Sequence, residues 1–332
     1  MTISPELFIA GVGVYLPDRQ PAVEAIRQGR YDDASAASDE VVSACVEQKL
    51  HPAEMAAAAG RDALAMAGPR AGNVRAVLHS YLNFQGAHFW DAAPYVAEHT
   101  VGSRVPAFDV RQSCNGALGC LELGRRFLDD AGDSVLVTTG DRFDNPWVNR
   151  WKGDQSVFGD GGTALVLSGS GGFARLDSLV TLSDNSLEAE SRGAEFTDSG
   201  DVIDFELQRE KFHTTTVAMM EHYGRMEPLL HQCIGQALDQ AGIGKSDLAY
   251  VVPVVTTRWR VQIQLDRFLG MKPEQSTWEF GSTTGHMGSG DQISGLHHLR
   301  STGKVSPGDR VLLLGGGTGF TVTGAVLEIL ED

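Results

Sequence analysis

Phe108-Asp-Val-Arg-Gln-Ser-Cys-Asn-Gly-Ala-Leu-Gly-Cys-Leu-Glu-Leu-Gly-Arg-Arg-Phe127 reads as a short strand, a turn and an apolar helix. After the turn, Ala117, Leu118, Leu121, Phe127 and Leu128 recur at helical spacing. Cys114 therefore falls at the first turn of that helix. Unpaired backbone N–H groups and the positive end of the helix dipole gather there, and such a position favours thiolate over thiol. Cys114 is a candidate nucleophile on this pattern, although a small buried core cysteine fits the same composition.

Self-similarity extends the reading outward. Ala63-Leu-Ala-Met-Ala-Gly68 is echoed by Ala237-Leu-Asp-Gln-Ala-Gly242, each closing a helix and each followed by an apolar strand, at Val77-Leu78 and at Val251 to Val255. The offsets from Gly68 to Cys114 and Asp133 are matched, to within about two residues, by those from Gly242 to His286 and Asp309. Asp133 and Asp309 open matching strands, and each strand leads through glycines to another, Thr163 to Ser168 and Phe320 to Leu330. Helices alternating with β-branched strands predict an α/β unit used twice, each with a mainly parallel sheet covered by helices. Ser168-Gly-Ser-Gly-Gly172 marks the boundary, which divides the chain into halves 1–170 and 171–332. Gly281 to Asp291 is the counterpart of the Cys114 turn, and in a pseudo-twofold pair the two helix starts can face each other.

The remaining stretches are less informative. Leu7 to Leu16 is too short to span a bilayer and lacks the flanks of a signal peptide, so it is expected as a first strand in a cytoplasmic protein. Ser183 to Asp204 reads as a polar surface excursion, and Phe212 to Ala241 as a helix interrupted around Gly224 to Pro228. Cys45, Cys114, Cys120 and Cys233 show no CxxC and no metal spacing, which predicts free thiols and no metal site. A net charge of −16 over 332 residues argues against nucleic acid, which needs a basic field.

The full length resembles the thiolase superfamily, most closely the ketoacyl-ACP synthase III group. The segments that carry the resemblance are Ala10-Gly-Val-Gly-Val-Tyr-Leu-Pro17, Phe108 to Gly116, Val157-Phe-Gly-Asp-Gly-Gly-Thr-Ala164, Lys304-Val-Ser-Pro-Gly-Asp-Arg-Val-Leu-Leu-Leu314 and Gly317-Thr-Gly-Phe-Thr321. The resemblance implies a five-layer αβαβα thiolase-like fold, a homodimer, and Cys114 as the acyl-accepting nucleophile. It also implies an oxyanion hole from the backbone amides of Cys114 and of the Gly317 to Gly319 turn, with Gly319 the donor.

Two departures redirect the expected chemistry. Condensing members carry Pro-His-Gln-Ala-Asn where this chain has Pro253-Val-Val-Thr-Thr-Arg258, which leaves Val254 near the place of the first histidine. They carry Gly-Asn where this chain has Gly285-His286. The result resembles the acyltransferases of natural-product assembly, whose Cys, His, Asp set would here be Cys114, His286 and Asp291. Ser289-Gly-Asp-Gln292 also fits a helix capping box, which would explain Asp291 without catalysis. The resemblance places Lys152, Arg258 and Arg260 as donor contacts toward coenzyme A or the phosphopantetheine of an acyl carrier protein, with no other cofactor. The acceptor is expected to be a small-molecule hydroxyl, or less readily an amine. Two other readings are a condensing enzyme using His286 alone and a non-catalytic partner subunit.

Overall fold

The computed structural model describes residues 6–144, 146–153, 156–189, 203 and 216–331. In chain order its elements are β1 (Phe8–Tyr15), β2 (Arg19–Pro21), α1 (Ala22–Arg27), α2 (Asp33–Asp39), β3 (Ser43–Cys45), α3 (Pro52–Ala67), β4 (Asn73–Ser80), α4 (Ala93–Glu98), β5 (Ala107–Val110) and α5 (Gly116–Gly124). They continue with β6 (Asp133–Asp141), β7 (Gly161–Ser168), β8 (Ala174–Ser183), α6 (Thr216–Ala241), β9 (Leu248–Val252), α7 (Arg258–Gln264), α8 (Trp278–Thr284), α9 (Asp291–Ser301), β10 (Arg310–Gly317) and β11 (Thr321–Ile329).

One sheet runs through the molecule in the order β5-β4-β6-β7-β1-β8-β11-β10-β9. It is mixed and not mainly parallel. β4 lies parallel to β5 and β6, and β9 parallel to β10, while the pairs between β6 and β10 are antiparallel. The cause is local: β10 returns as β11 through a short turn, and β6 reaches β7 through a connection whose described residues hold only a 3-10 turn, Arg150–Lys152, so those neighbours run in opposite directions. β1 and β8 share only two residue pairs, Phe8 with Arg175 and Ile9 with Ala174. At this seam the two groups of strands separate and enclose α5 and α9.

Three apolar cores define the layers. The alanine-rich face of α3 (Ala53, Ala56, Ala59, Ala63) packs on Val77, Leu136 and Val166. Between the strand groups, Leu118 and Leu121 of α5 and Ile293 and Leu296 of α9 pack on Leu78 and Val137 from one side and Leu313 and Leu327 from the other. On the far face, Cys233, Ile234 and Ala237 of α6 pack on Val180, Leu312 and Val326. The order is α, β, α, β, α. Each fully buried leucine contributes roughly 1.5–3 kcal/mol, so the central pair of helices is fixed mainly by what it removes from water.

Two local expectations are corrected. α6 passes through Pro228 without a break. Pro228 lies on the exposed face, while the residues that hold the helix to the sheet, Cys233 to Leu238, follow it; the carbonyl freed by proline can turn to water. The helix after Cys114 is also shorter than its apolar spacing suggests, tightening into a 3-10 turn at Arg125–Phe127. The polar excursion from Ser183 lies mostly outside the described residues, as does the start of the predicted helix at Phe212. No described helix is long and apolar enough to cross a membrane.

Candidate active site

Cys114 sits in a 3-10 turn, Ser113–Asn115, between the end of β5 and the start of α5. Ser113 adopts φ = +52°. A non-glycine residue held in the left-handed region costs on the order of 1–3 kcal/mol, and here that conformation turns the next side chain out of the helix start. Cys114 is the one partly exposed cysteine, whereas Cys45, Cys120 and Cys233 are buried. Burial pushes the thiols of Cys45 and Cys233 up to about 11 and that of Cys120 higher still.

The second-half turn brings a base to the sulfur. His286 Nε2 lies 3.0 Å from Cys114 Sγ, and His286 Nδ1 lies 2.6 Å from Asp291 Oδ2. The main chain of His286 is pinned like a strand: its N–H donates to Val157 O at 2.7 Å, and its carbonyl accepts from Gly159 N at 2.9 Å. Gly285 permits this approach. It holds φ = +75°, and a β-carbon on it would lie 2.9 Å from Gly159 N and Val157 O. The Phe158 ring, stacked on Phe143 at 4.4 Å, stands 5.7 Å from the imidazole.

Asp291 is buried, and its carboxylate is fully engaged. Oδ2 accepts from Val255 N at 2.7 Å as well as from His286, and Oδ1 accepts from Met287 N at 2.8 Å. The capping box anticipated at Ser289 to Gln292 does not form: the helix has no side-chain cap, and Gln292 donates to Leu314 O. A carboxylate beside Nδ1 keeps a proton on that nitrogen, which leaves Nε2 as the atom that exchanges a proton with the Cys114 sulfur. Burial opposes a charge on His286. The Asp291 carboxylate and the Cys114 sulfur override it and hold the imidazole protonated well above the usual histidine range.

The turn carrying Gly319 reaches the same place, since Thr318 Oγ1 donates to Ser113 Oγ at 3.0 Å. A cavity of about 480 Å³ opens beside it, lined by Met226, Val254, Trp259, Arg260, Leu314 and Phe320 among others. Its wall continues into the site, because Val255 donates to Asp291 and Gly315 lies against Asn115. Of the three anticipated donor contacts, Arg260 lines this cavity, with its guanidinium 5.1 Å from the Trp259 ring centroid and a buried Nε that finds no hydrogen-bond partner among the described residues. Lys152 and Arg258 do not line it. Lys152 is exposed on the Arg150–Lys152 turn, and Arg258 pairs with Glu40 at 2.8 Å.

Asp141 carries no signal in the sequence. It ends β6 fully buried, accepts the N–H groups of Leu82 and Asn83, and lies close enough to feel the charge of His286. Burial pushes its carboxyl up to about 7. No motif marks it, because its neighbours come from three separate stretches of chain. Among the described residues no cluster of His, Cys, Asp and Glu could hold a metal ion.

Comparison with known proteins follows the same lines. Residues 108–184 match the family described as 3-oxoacyl-[acyl-carrier-protein] synthase III, and residues 238–329 match its C-terminal family. A β-ketoacyl-[acyl-carrier-protein] synthase III of Streptomyces coelicolor is 27% identical over 251 residues, covering 71% of this chain and 70% of that protein. The acetoacetyl CoA synthase NphT7 of Streptomyces sp. strain CL190 is 27% identical over 96% of this chain and 98% of its own. Among solved structures, ChlB3, described as an acyltransferase, superposes with a TM-score of 0.93 at 32% identity over 99% of both chains.

Proposed function

Because the chain belongs to the ketoacyl-ACP synthase III family of the thiolase superfamily, we propose that it is an acyltransferase working through an acyl-Cys114 intermediate. The observation that carries this reading is the hydrogen-bonded series Cys114, His286, Asp291, together with Val254 where condensing members place a histidine. Carbon-carbon condensation needs donors aimed at an enolate oxygen. Here the imidazole is backed by a carboxylate and faces the sulfur, so once that sulfur is acylated and uncharged, Nε2 can give up its proton with the leaving thiol and serve as a general base.

In the first half-reaction the Cys114 sulfur, its proton passed to His286, attacks the carbonyl carbon of an acyl thioester, and the donor thiol leaves with the proton. In the second, His286 Nε2 takes the proton of an acceptor hydroxyl, or less readily an amine, as its oxygen attacks the thioester. The C–S bond breaks, and the proton returns to the sulfur. The amides of Cys114 and Gly319 would receive the negative oxygen of each tetrahedral intermediate. Asp291 stabilises the imidazolium that forms in both steps.

The donor is an acyl carrier protein or coenzyme A thioester, and the product an ester of a specialised metabolite. The cavity, lined by Leu230, Val254, Leu314, Gly315 and Phe320 with Arg260 among them, offers an apolar-walled space of about 480 Å³ for a pantetheine arm. Arg260, Arg267 and the half-exposed Trp259 line it, a local basic and aromatic surface on a chain of net charge −16, which suits an acidic carrier. The resemblance to ChlB3, an acyltransferase, supports the class. The full-length similarity to an acetoacetyl CoA synthase favours condensation as the second reading.

Intact-protein mass spectrometry with a panel of acyl-CoA and acyl-carrier thioesters, followed by acceptor alcohols, decides between them. The expected result is an acyl adduct on Cys114, absent from Cys114→Ala, that the alcohol removes as an ester. Loss of carbon dioxide with a new carbon-carbon bond would replace the proposal by the condensing reading.

A further inference from the structure

The turn that presents Cys114 is held by a hydroxyl of the His286 turn, Ser289, itself met by Ser80 at the end of β4, and the reaction scheme uses neither. The strained Ser113 has its carbonyl gripped twice, by Gly116 N–H within its own turn and by the Ser289 hydroxyl at 2.8 Å. Ser289 lies between His286 and Asp291 and is fully buried. Its Oγ is also 3.1 Å from Ser80 Oγ at the end of β4. A hydroxyl carries one proton. Since Ser289 gives its proton to Ser113, Ser80 must donate to Ser289, so the bonds run in one direction, Ser80 to Ser289 to the Ser113 carbonyl. The meeting depends on Gly116, where a β-carbon would lie 1.8 Å from Ser80 Oγ and 2.7 Å from Ser289 Oγ.

Resting on the assignment of Cys114 as nucleophile, we infer that Ser289 is a positioning residue for it. Its hydroxyl ties the strained turn that aims the thiol to the turn that carries His286 and Asp291. Among the bonds that hold the two turns in place, which include Thr318 to Ser113 and His286 to Val157 and Gly159, it is the one that grips the backbone of the residue next to the sulfur. A group misplaced by about 1 Å can lose on the order of 10²-fold in rate, so a single oxygen at this point has leverage on the chemistry.

The test is Ser289→Ala, which removes one buried oxygen and leaves the fold intact by circular dichroism. Two readouts are taken: the rate of Cys114 alkylation by iodoacetamide at pH 7, mapped by peptide mass, and the separate kcat and donor KM of transfer. The other three thiols are buried and pushed up, so alkylation reads Cys114. The expected result is a loss of about 10-fold or more in both alkylation and kcat, with donor KM nearly unchanged. Ser80→Ala, which keeps the bond from Ser289 to Ser113, retains most of the rate, and Gly116→Ala, whose methyl displaces both hydroxyls, reproduces the loss. Alkylation of Ser289→Ala at the wild-type rate overturns the inference, even where the melting temperature falls, because that pattern belongs to a purely structural hydroxyl. Alkylation uses no acyl donor. A wild-type Cys114 that reacts no faster than an unassisted thiol would instead sink the assignment of Cys114, and the role of Ser289 with it.

Discussion

Asp291 receives three donors on two oxygens, and each would respond differently to losing its charge. Asp291→Asn keeps the shape but turns an NH₂ group toward at least one of His286 Nδ1, Val255 N and Met287 N. The imidazole loses the partner that fixes its tautomer and supports its positive form, so kcat is expected to fall by roughly 10³-fold or more. Stability falls too, by about 1–3 kcal/mol, for a buried donor left unpaired. Measuring kcat and the denaturation midpoint on one preparation checks both, and a normal kcat would reduce Asp291 to a structural anchor. At this scale the sequence was partly legible. Cys114 and His286 stand out because a cysteine at a helix start and a histidine in a glycine turn occupy matching places in a repeat. Ser289 and Asp141 do not stand out, because their significance comes from residues 80, 82, 113 and 286, which only the folded sheet brings beside them.

Strand β4 carries a residue whose protonation opposes the fold. His79 is fully buried between Thr138 Oγ1 at 3.0 Å and Gln85 Oε1 at 3.2 Å. Burial lowers its pKa below the usual 6.5. The folded chain therefore keeps it neutral while the unfolded chain takes up a proton below 6.5, so its contribution is present above that pH and is lost as pH falls toward the folded value. Between pH 7 and 5, His79→Gln is expected to show a shallower loss of denaturation free energy than the wild type. Equal slopes would show that another group sets the acid limb. Element boundaries follow a similar logic. The strands at Asp133 and Arg310 are legible from matching apolar runs, each opened by an aspartate and closed by glycine, in the two halves of the repeat. The passage of α6 through Pro228 and the pairing of Arg258 with Glu40 were not, since both depend on which face a neighbour leaves open to water.

At the scale of the whole molecule, β5 ends the sheet with no strand beyond it among the described residues, and Phe108 on it is 45% exposed. An uncovered edge with an aromatic side chain invites a second copy of the chain. Light scattering is expected to give about twice the 35.6 kDa chain mass, and Phe108→Asp to shift the population toward that of a single chain. A monomeric wild type would end this expectation. The repeat made the two-part architecture legible, but not the antiparallel middle of the sheet, because hydrophobic periodicity marks strands without giving their direction. The narrow seam between β1 and β8 has a mechanical reading as well. Sulfur and imidazole come from opposite halves of the chain and are joined at the site by the bonds of His286 to Val157 and Gly159 and of Ser289 to Ser113, so their separation works as a strain gauge for the molecule. Pressure, mild heat or a crowded surface that let the two halves slide would silence turnover first, while circular dichroism still recorded an intact fold.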